Sequence, residues 1–482
     1  MNQLTEINWI RRFYRKHLVR YPWARLLKQV YLAFRLRAIE IRGFLVWRVS
    51  HKLAVGAIYL SRSVSHSSNP LARYLARAGA FVFFTLLRVT YFLTGQQARW
   101  YTMHGFSQYF GASGVRRREL VPARELPLEM PNVYPEEFKK FFYDGTWPLR
   151  VPAICAFEAS QAQVMGKSDL LFLDDQCLHH ELYRFDQDFL FEEMHDIVSI
   201  NPANRKLVRF KGQQVGSIPS GISLVGSTTA NYVHWLTETL PKLALIDGID
   251  AYRDLPYIID AGLHPNILES LRHLNLNSRN VIQLGRGEML AVEKLVAISP
   301  VAYVPFDFKP GIKPNELDIN PGSALYSPDG LQQVRQSMVA VLGETEGALK
   351  RRLFLRRTGK SRPMNNSIEI EAMVREHGFE IIEPETLSFA DQVRLFSSAE
   401  LIVSQGGAAL GNIIFAPAGC HVIVLTTWSP YTIHYYFSNL AALLRQRCTL
   451  IMCEPVQSDL GPHRAHMGVN VSIPTLIKAI QQ

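Results

Sequence analysis

Residues 400–426 have the sequence ELIVSQGGAALGNIIFAPAGCHVIVLT. An apolar run, ELIVS, precedes two glycines. A segment of small and apolar residues follows them, before a second apolar run, HVIVLT. Buried parallel strands are typically continuous apolar runs of this length, and adjacent glycines suit a tight turn into a helix. The stretch therefore predicts strand, glycine-rich turn, helix and strand, the repeating unit of a parallel sheet.

The same alternation extends towards the N-terminus. Apolar runs predict strands at 352–355 and 379–382, and the segments 368–378 and 388–399 predict helices. Gly378 suits the position after a helix, and Ser388 with Asp391 forms a capping box at the next helix start. Repeated strand–helix–strand units of this length predict an α/β fold with a parallel, doubly wound sheet.

The middle of the chain shows a second, less regular alternation. Short apolar runs predict strands at 169–175, 207–210, 221–225, 256–259, 280–283 and 294–298, with helices at 231–246 and 264–274. Residues 115–160 predict loops and short elements, and the many prolines and glycines at 300–330 predict a link between domains. We therefore expect three parts: residues 1–115, 116–320 and 321–482.

The composition is that of a globular protein. The 482 residues are 48% hydrophobic and 20% charged, which excludes disordered and collagen-like chains. Five cysteines in this length do not form a disulfide framework, and no pair has the C-x2-C spacing of a zinc site. We therefore expect a reducing compartment, no structural zinc and no cofactor.

Positive charge is concentrated near the N-terminus. Residues 1–120 hold 20 Lys or Arg and three acidic residues, a net charge of +17, whereas the remainder carries −7. Lys and Arg interrupt the apolar runs at 44–60 and 80–93, so neither run predicts a membrane-spanning helix. The first residues also lack the apolar core of a signal peptide. We expect 1–115 to form a basic, aromatic-rich helical segment.

Two functions fit this basic segment equally well. Its cations and aromatic residues suit an anionic membrane surface, because interfacial helices combine both. Alternatively, the segment packs its apolar faces on the rest of the protein and leaves its charges in water. Its aliphatic and aromatic bulk exceeds what a nucleic-acid arm needs, so no nucleic-acid partner is expected.

Two features at the ends of predicted parallel strands suit phosphate binding. Gly406 and Gly407 allow backbone N–H groups to approach an anion at a helix start. The loop LRRTGKSRPMNN (355–366) carries four cations: Arg356, Arg357, Lys360 and Arg362. Guanidinium groups match phosphate oxygens, and the carboxyl ends of parallel strands share one edge of a sheet. Together the two features predict a diphosphate site, although close strand–helix packing and a solvated basic loop account for each alone.

The predicted helix NYVHWLTETLPKL (231–243) holds a possible general base. Asn231, His234 and Glu238 share one helical face, and a carboxylate beside an imidazole can accept a proton from a substrate. Pro241 is expected to kink or end the first part of this helix. A capped helix with a satisfied histidine explains the same residues without chemistry.

The same segments resemble glycosyltransferase family 61, which includes bacterial capsular-polysaccharide biosynthesis proteins. NYVHWLTETLPKL resembles the family pattern N-Y-x-H-W-x-x-E-x-L-P-[RK]-L, and residues 352–419 resemble its second block. Two positions differ: Gly406 stands where the family usually has His, and Asn366-Ser367 where it often has Asn-Glu. Gly406 thus removes a side chain expected near the donor phosphates.

The resemblance implies a GT-B architecture, in which two Rossmann-like domains face each other across a cleft, and a metal-independent, inverting glycosyl transfer. Residues 116–320 would bind a glycan or lipid-linked glycan acceptor and present the base, and residues 321–482 would bind a nucleotide-sugar donor. We expect a role in surface or capsular polysaccharide biosynthesis, in the cytoplasm and peripheral at the inner face of the cell membrane.

The resemblance also assigns roles to residues. Glu238, or His234 oriented by Glu238, is the expected base. The expected donor and phosphate site comprises Arg357, Arg362, Gly406, Gly407, Ala408 and Asn412, with Asn231 and Gln392 in support. The D-x-D string at 186–188 lacks a preceding strand and is taken as a chance match, so no metal ligand is assigned.

Two other functions are alternatives to the transferase. A catalytically silent relative could act as a scaffold in a polysaccharide assembly complex, which Gly406 and the basic segment would support. A nucleotide-binding oxidoreductase is disfavoured, because it would need G-x-G-x-x-G after its first strand and an acidic residue about 20 positions later.

Overall fold

The computed structural model describes residues 99–112, 116–184, 187–195, 197–201, 205–209, 212–275, 278–308, 312–343, 350–357, 363–456 and 468–482. These fall into two units. One holds the short pieces 99–100, 208–209, 308 and 312–313, and the other holds the remaining described residues. No helix in these described ranges is long and apolar enough to cross a membrane. Most of the predicted basic segment, residues 1–98, lies outside them.

The strands are β1 (Arg99–Gly105), β2 (Arg117–Val121), β3 (Arg124–Glu129), β4 (Asn132–Tyr134), β5 (Thr146–Val151), β6 (Ile154–Met165), β7 (Leu171–Leu173), β8 (Gln176–His179), β9 (Val198–Asn201), β10 (Lys206–Arg209), β11 (Gln213–Ser223), β12 (Tyr257–Asp260), β13 (Val281–Leu284), β14 (Glu288–Ile298), β15 (Ala302–Tyr303), β16 (Leu325–Tyr326), β17 (Arg351–Leu355), β18 (Glu380–Ile382), β19 (Ala399–Gln405), β20 (His421–Thr426), β21 (Arg447–Met452), β22 (Glu454–Pro455) and β23 (Val469–Asn470).

The α-helices are α1 (Phe106–Ala112), α2 (Phe191–Met194), α3 (Tyr232–His234), α4 (Leu240–Asp247), α5 (Pro265–Leu274), α6 (Pro328–Leu342), α7 (Ser367–Glu376), α8 (Phe389–Ser397), α9 (Tyr435–Leu443) and α10 (Ile473–Ile480). A π-helical turn (Trp235–Thr239) joins α3 to α4. Short 3-10 helices cover Glu136–Phe141, Asp250–Tyr252, Pro314–Glu316, Pro321–Ser323, Pro384–Thr386 and Ala408–Ile414.

The smaller of the two main sheets is parallel throughout, as predicted. Its strand order is β18-β17-β19-β20-β21-β4, and every neighbouring pair is parallel. The apolar runs that predicted β19 and β20 are almost completely buried, since helices cover both faces of such a sheet. The edge strand β4 comes from the N-terminal half of the chain and pairs with β21.

The larger sheet is mixed. Its order is β13-β12-β11-β14-β6-β7-β8-β1-β10-β9, with β2 beside β6. The first four strands are parallel, but β6 runs antiparallel to β14, and β7 antiparallel to β6. A Rossmann-like description therefore fits only β11 to β14 and the helices between them.

Two predictions of local structure are wrong. Residues 99–105, expected in a helical segment, form strand β1. Tyr101 and Met103 are buried there, and the alternating residues Trp100, Thr102 and His104 are less so. Such a period of two is typical of a strand. Residues 154–160, where loops and short elements were expected, belong to the 12-residue strand β6.

One hydrophobic core connects the two main sheets. It contains side chains from the larger sheet, such as Ile222, from the helices between, such as Trp235, and from the smaller sheet, such as Val422. The carboxylate of Glu269 on α5 accepts hydrogen bonds from the first N–H groups of α8, at 3.0 and 3.1 Å. This contact satisfies N–H groups that a helix start otherwise leaves unpaired.

Candidate active site

The loop before the candidate base helix is held by a buried carboxylate at the end of β12. Asp260 accepts hydrogen bonds from the Gly226 amide, at 3.0 Å, and from the Thr229 hydroxyl. Burial raises the pKa of Asp260, and these hydrogen bonds oppose that rise. Because strands β11 and β12 are parallel, the loop that follows β11 lies at the same sheet edge as Asp260.

The helical segment from 232 to 247 contains Pro241, and a π turn (Trp235–Thr239) precedes this proline. Proline has no N–H group for the usual helical hydrogen bond. Instead the amide of Leu240 donates to the carbonyl of Trp235, five residues earlier. A π turn therefore precedes Pro241, where a kink or a helix end was expected, and Glu238 lies within this turn. Asn231 caps the helix, because its side chain accepts from the Val233 amide at 3.3 Å.

His234 and Glu238 form the expected pair. Nδ1 of His234 lies 2.6 Å from Oε1 of Glu238, and the Thr228 hydroxyl donates to Oε2 at 3.1 Å. Burial disfavours the charged imidazole, but the charge and hydrogen bond of Glu238 outweigh it, so the pKa of His234 is raised. The His234 side chain is 9% exposed and that of Glu238 21% exposed, so the carboxylate is the more accessible of the two.

Glu238 lies on the wall of a cavity of about 100 Å³. Polar side chains line it beside Glu238: Asp169, Thr228, Lys242, His180 and Tyr303. Aromatic side chains line it as well: Phe106, Phe189, Phe191 and Phe306. A carboxylate paired with an imidazole on a cavity wall can take a proton from a bound hydroxyl.

The predicted phosphate site brings Arg357 and Gly407 together. A Cβ on residue 407 would lie 2.7 Å from Nη1 of Arg357, so the guanidinium lies directly against the glycine. Gly407 and Ala408 are half-buried at the end of β19, and Ala408 begins a 3-10 helix. Gly406 differs from them, because its amide donates to the Leu425 carbonyl at 3.1 Å and is therefore not directed at a ligand.

The loop has two other arginines, Arg356 and Arg362, and the structure describes only Arg356. Arg356 is held by carboxylates of the protein: its Nε lies 2.7 Å from Glu371 and its Nη1 2.9 Å from Glu383. These bonds occupy the guanidinium that sequence reasoning placed among the phosphate-binding cations. Arg362 lies outside the described residues, as does Lys360.

Asn412 and Gln392 connect the two predicted sites instead of facing a ligand. The Tyr232 hydroxyl donates to Oδ1 of Asn412 at 3.0 Å, and the Asn412 amide donates to Oε1 of Gln392 at 2.6 Å. Asn412 is 0% exposed, which favours a positioning role over the predicted phosphate contact. Gly411 allows this approach, since a Cβ there would lie 3.1 Å from Cα of Val233.

Aromatic rings form a second connection. The His234 ring lies 5.9 Å from that of Tyr436, and the Tyr436 ring 4.7 Å from that of Phe437. A Cβ on residue 406 would lie 3.7 Å from Cε2 of Phe437. The helix with Glu238 and the turn with Gly406 and Gly407 are therefore parts of one packed arrangement.

Sequence reasoning missed Thr228, Lys242, His180 and Tyr303. Thr228 follows strand β11 and lies at the edge where polar residues collect, so the rule for parallel strands could have identified it. Lys242 lies in the quoted segment 231–243 and was not singled out. His180 and Tyr303 are distant in sequence, and only the fold brings their rings to 4.5 Å.

Comparison with known proteins identifies a family for part of the chain. No curated protein matches the chain. The family model described as Glycosyltransferase 61 matches residues 232–423, which include the His234–Glu238 pair, Arg357 and Gly407. No group of three or more His, Cys, Asp or Glu in the described residues could hold a metal ion. Residues 232–423 are a glycosyltransferase 61 domain, and the chain that contains them is a glycosyltransferase.

Proposed function

We propose that the protein transfers a sugar, with inversion and without a metal, from a nucleotide-sugar donor to a glycan acceptor in surface or capsular polysaccharide biosynthesis. One observation supports this most directly. One helix presents Glu238, paired with His234, to the cavity. The first residue of this helix, Tyr232, donates a 3.0 Å hydrogen bond to Asn412, in the 3-10 helix that follows Gly407. A proton acceptor and a candidate phosphate site are thus adjacent.

In the proposed reaction an acceptor hydroxyl attacks the anomeric carbon of the donor. Its oxygen forms the new glycosidic bond while the bond from that carbon to the diphosphate oxygen breaks, and the diphosphate leaves with the electron pair. Glu238 takes the hydroxyl proton, with His234 orienting its carboxylate. Arg357 stabilises the negative charge that develops on the diphosphate, with Arg362 and the amides near Gly407 and Ala408 in support.

We propose a GT-B arrangement with an acceptor part in 116–320 and a donor part in 321–482. The parallel six-stranded sheet, with Arg357 and Gly407 after its strands, supports the donor part. The cavity supports the acceptor part, because all its lining residues except Phe106 lie within 116–320.

We also propose that the protein works at the inner face of the cell membrane on a lipid-linked acceptor. The net charge of +17 in residues 1–120 supports this, since each Lys or Arg near an anionic surface contributes about 1 kcal/mol. Co-sedimentation of the full chain with anionic vesicles, weakening with salt, and its absence with neutral vesicles are expected. Equal sedimentation with both would contradict the proposal.

The experiment on function combines donor binding with loss of the base. Thermal-shift measurements against a panel of nucleotide sugars should show stabilisation by at least one, since a bound ligand raises stability by mass action. Glu238→Gln keeps the size of the side chain and removes the proton acceptor. It should lower transfer by about two or more orders of magnitude and leave donor binding intact.

The alternative function, a catalytically silent scaffold, predicts the opposite result. It needs no nucleotide sugar, so stabilisation by none of the panel would favour it. Near-wild-type transfer by Glu238→Gln would reject Glu238 as the base while leaving glycosyl transfer itself in place.

A further inference from the structure

Two polar groups on the cavity wall have no hydrogen-bond partner among the described residues. No described group bonds the Lys242 ammonium, and Nδ1 of His180 is buried without a hydrogen-bond partner. Several other polar groups of the wall are paired. Glu238 is bonded by His234 and Thr228, and Asp169 accepts from the Ser227 amide at 3.1 Å. Buried polar atoms without a hydrogen-bond partner, such as Nδ1 of His180, are rare, so this atom and the ammonium of the half-buried Lys242 on the same wall point to a ligand.

The charges around these groups favour an uncharged ligand. Burial lowers the pKa of Lys242, while the carboxylates of Asp169 and Glu238 oppose that change and favour its ammonium form. Burial, with the charges of His179 and Lys242, lowers the pKa of His180 to about 3, so its ring is neutral. An anionic ligand beside Lys242 would also approach Asp169 and Glu238. A neutral hydroxyl can accept from the ammonium and pair with the imidazole without that repulsion.

The rest of the wall is aromatic. The His180 ring lies 4.5 Å from that of Tyr303, and the rings of Phe191 and Phe306 meet edge to face at 5.1 Å. Phe306 lines the cavity and is 49% exposed. Hydroxyl groups beside C–H faces are the chemistry of a sugar ring, and exposed aromatic rings bury such C–H faces.

We propose that this cavity holds an uncharged sugar ring of the acceptor, with Lys242 donating to its hydroxyls, His180 paired with one of them, and Phe306 packed on its C–H face. The inference rests on the proposed function and deepens it, since it names the acceptor class and the residues that select it. Glu238 lies on the same wall, so a hydroxyl of the bound ring lies within reach of the base.

The test uses saturation-transfer NMR with the full chain and no nucleotide. The probes are the methyl β-glycosides of glucose, galactose and xylose, with methyl β-glucuronide as the acidic member. At least one neutral glycoside should show saturation transfer, and the glucuronide should show less. Lys242→Met keeps the aliphatic stem and should weaken neutral-glycoside binding by about tenfold or more, the loss expected for one charge-assisted hydrogen bond.

Phe306→Ala, at an exposed position, should weaken binding without affecting the fold. The matched controls are Lys294→Met, an exposed lysine on β14, and Phe141→Ala, 47% exposed and outside the cavity. Both controls should bind the glycosides like the wild type. Saturation transfer from none of the neutral glycosides, or preferred binding of the glucuronide, would overturn the inference.

The two proposals fail separately. If a nucleotide sugar stabilises the chain and transfer depends on Glu238, but no glycoside shows saturation transfer, only the inference about the cavity fails. A chain that binds glycosides through Lys242 and Phe306, yet neither binds nucleotide sugars nor transfers sugar, loses the proposed function alone.

Discussion

The guanidinium of Arg357 lies where a side chain on residue 407 would begin. A Cβ at Gly407 would stand 2.7 Å from Nη1 of Arg357, a distance that requires one of the two to move. The guanidinium is the far end of a flexible side chain, so it can yield without disturbing β19 or the following 3-10 helix. The lack of a side chain at Gly407 is therefore needed for the position of Arg357 more than for the stability of the fold.

Gly407→Ala should separate binding from stability. The new methyl group should displace the Arg357 guanidinium, so we expect UDP or another nucleoside diphosphate to bind about tenfold more weakly, as for one disturbed charge-assisted contact. The backbone at Gly407 is extended, which any residue adopts, so the melting temperature should stay near that of the wild type. Calorimetry and thermal unfolding of the same variant check both. A large loss of stability with unchanged binding would contradict this assignment.

Arg357→Ala should weaken nucleoside-diphosphate binding by about 1.5–3 kcal/mol, the range for a hydrogen bond to a charged group. The matched control is Arg394→Ala, which removes an exposed arginine paired with Asp391 on helix α8. The control should bind as the wild type does. An unchanged dissociation constant for Arg357→Ala in calorimetry would place the phosphate site elsewhere.

The parallel sheet was predictable because its strands are buried on both faces. The segments ELIVS and HVIVLT are continuous apolar runs, and the observed strands Ala399–Gln405 and His421–Thr426 contain them. The strand Ile154–Met165 was not predicted, because polar residues interrupt its second half where part of one face is exposed. The pairing of Asn132–Tyr134 with Arg447–Met452 joins residues more than 300 positions apart, and no local pattern specifies it.

The site was predictable at the level of segments but not of individual side chains. The spacing of His234 and Glu238 predicted their contact, because residues four apart on a helix are neighbours. Arg356 and Arg357 are equivalent in the sequence, yet only Arg356 is held by Glu371 and Glu383. The polar side chain of Asn412 suits a ligand contact, but its amide donates to Gln392 in the protein interior. Such choices depend on side chains brought together by the tertiary structure.

Arg279→Ala should destabilise the fold strongly. Arg279 is 6% exposed, and its Nε lies 3.1 Å from Oδ1 of Asp247. The variant leaves the Asp247 carboxylate buried without its cation, which costs about 3–5 kcal/mol. The control is Arg253→Ala, which breaks an exposed pair with Asp250 and should cost less than about 1 kcal/mol. Urea unfolding of both variants measures the loss in unfolding free energy. Equal losses would show that the buried pair stabilises the fold no more than the exposed pair does.

The His234–Glu238 pair should make stability depend on pH in a defined direction. The pKa of His234 is raised above its ordinary value of 6.5: burial lowers it, but the nearby Glu238 carboxylate outweighs burial. A group whose pKa is raised on folding stabilises the folded state fully below its unfolded pKa, and this stabilisation is lost as the pH rises through its folded pKa. The pair should therefore contribute most below about pH 6.5 and progressively less above it.

Melting temperatures of the wild type and Glu238→Gln, measured from pH 6 to pH 9, check this. The variant should be less stable at pH 6, by about 1.5–3 kcal/mol for a charge-assisted hydrogen bond, and the gap should narrow as the pH rises. Glu380→Gln is the control, because it breaks a surface ion pair that contains no histidine, the pair with Arg351 at 3.5 Å. The difference in stability between the wild type and Glu380→Gln should be small and the same from pH 6 to pH 9. A Glu238→Gln gap that stays constant from pH 6 to pH 9, or that widens, would show that His234 does not carry the charge in the folded protein.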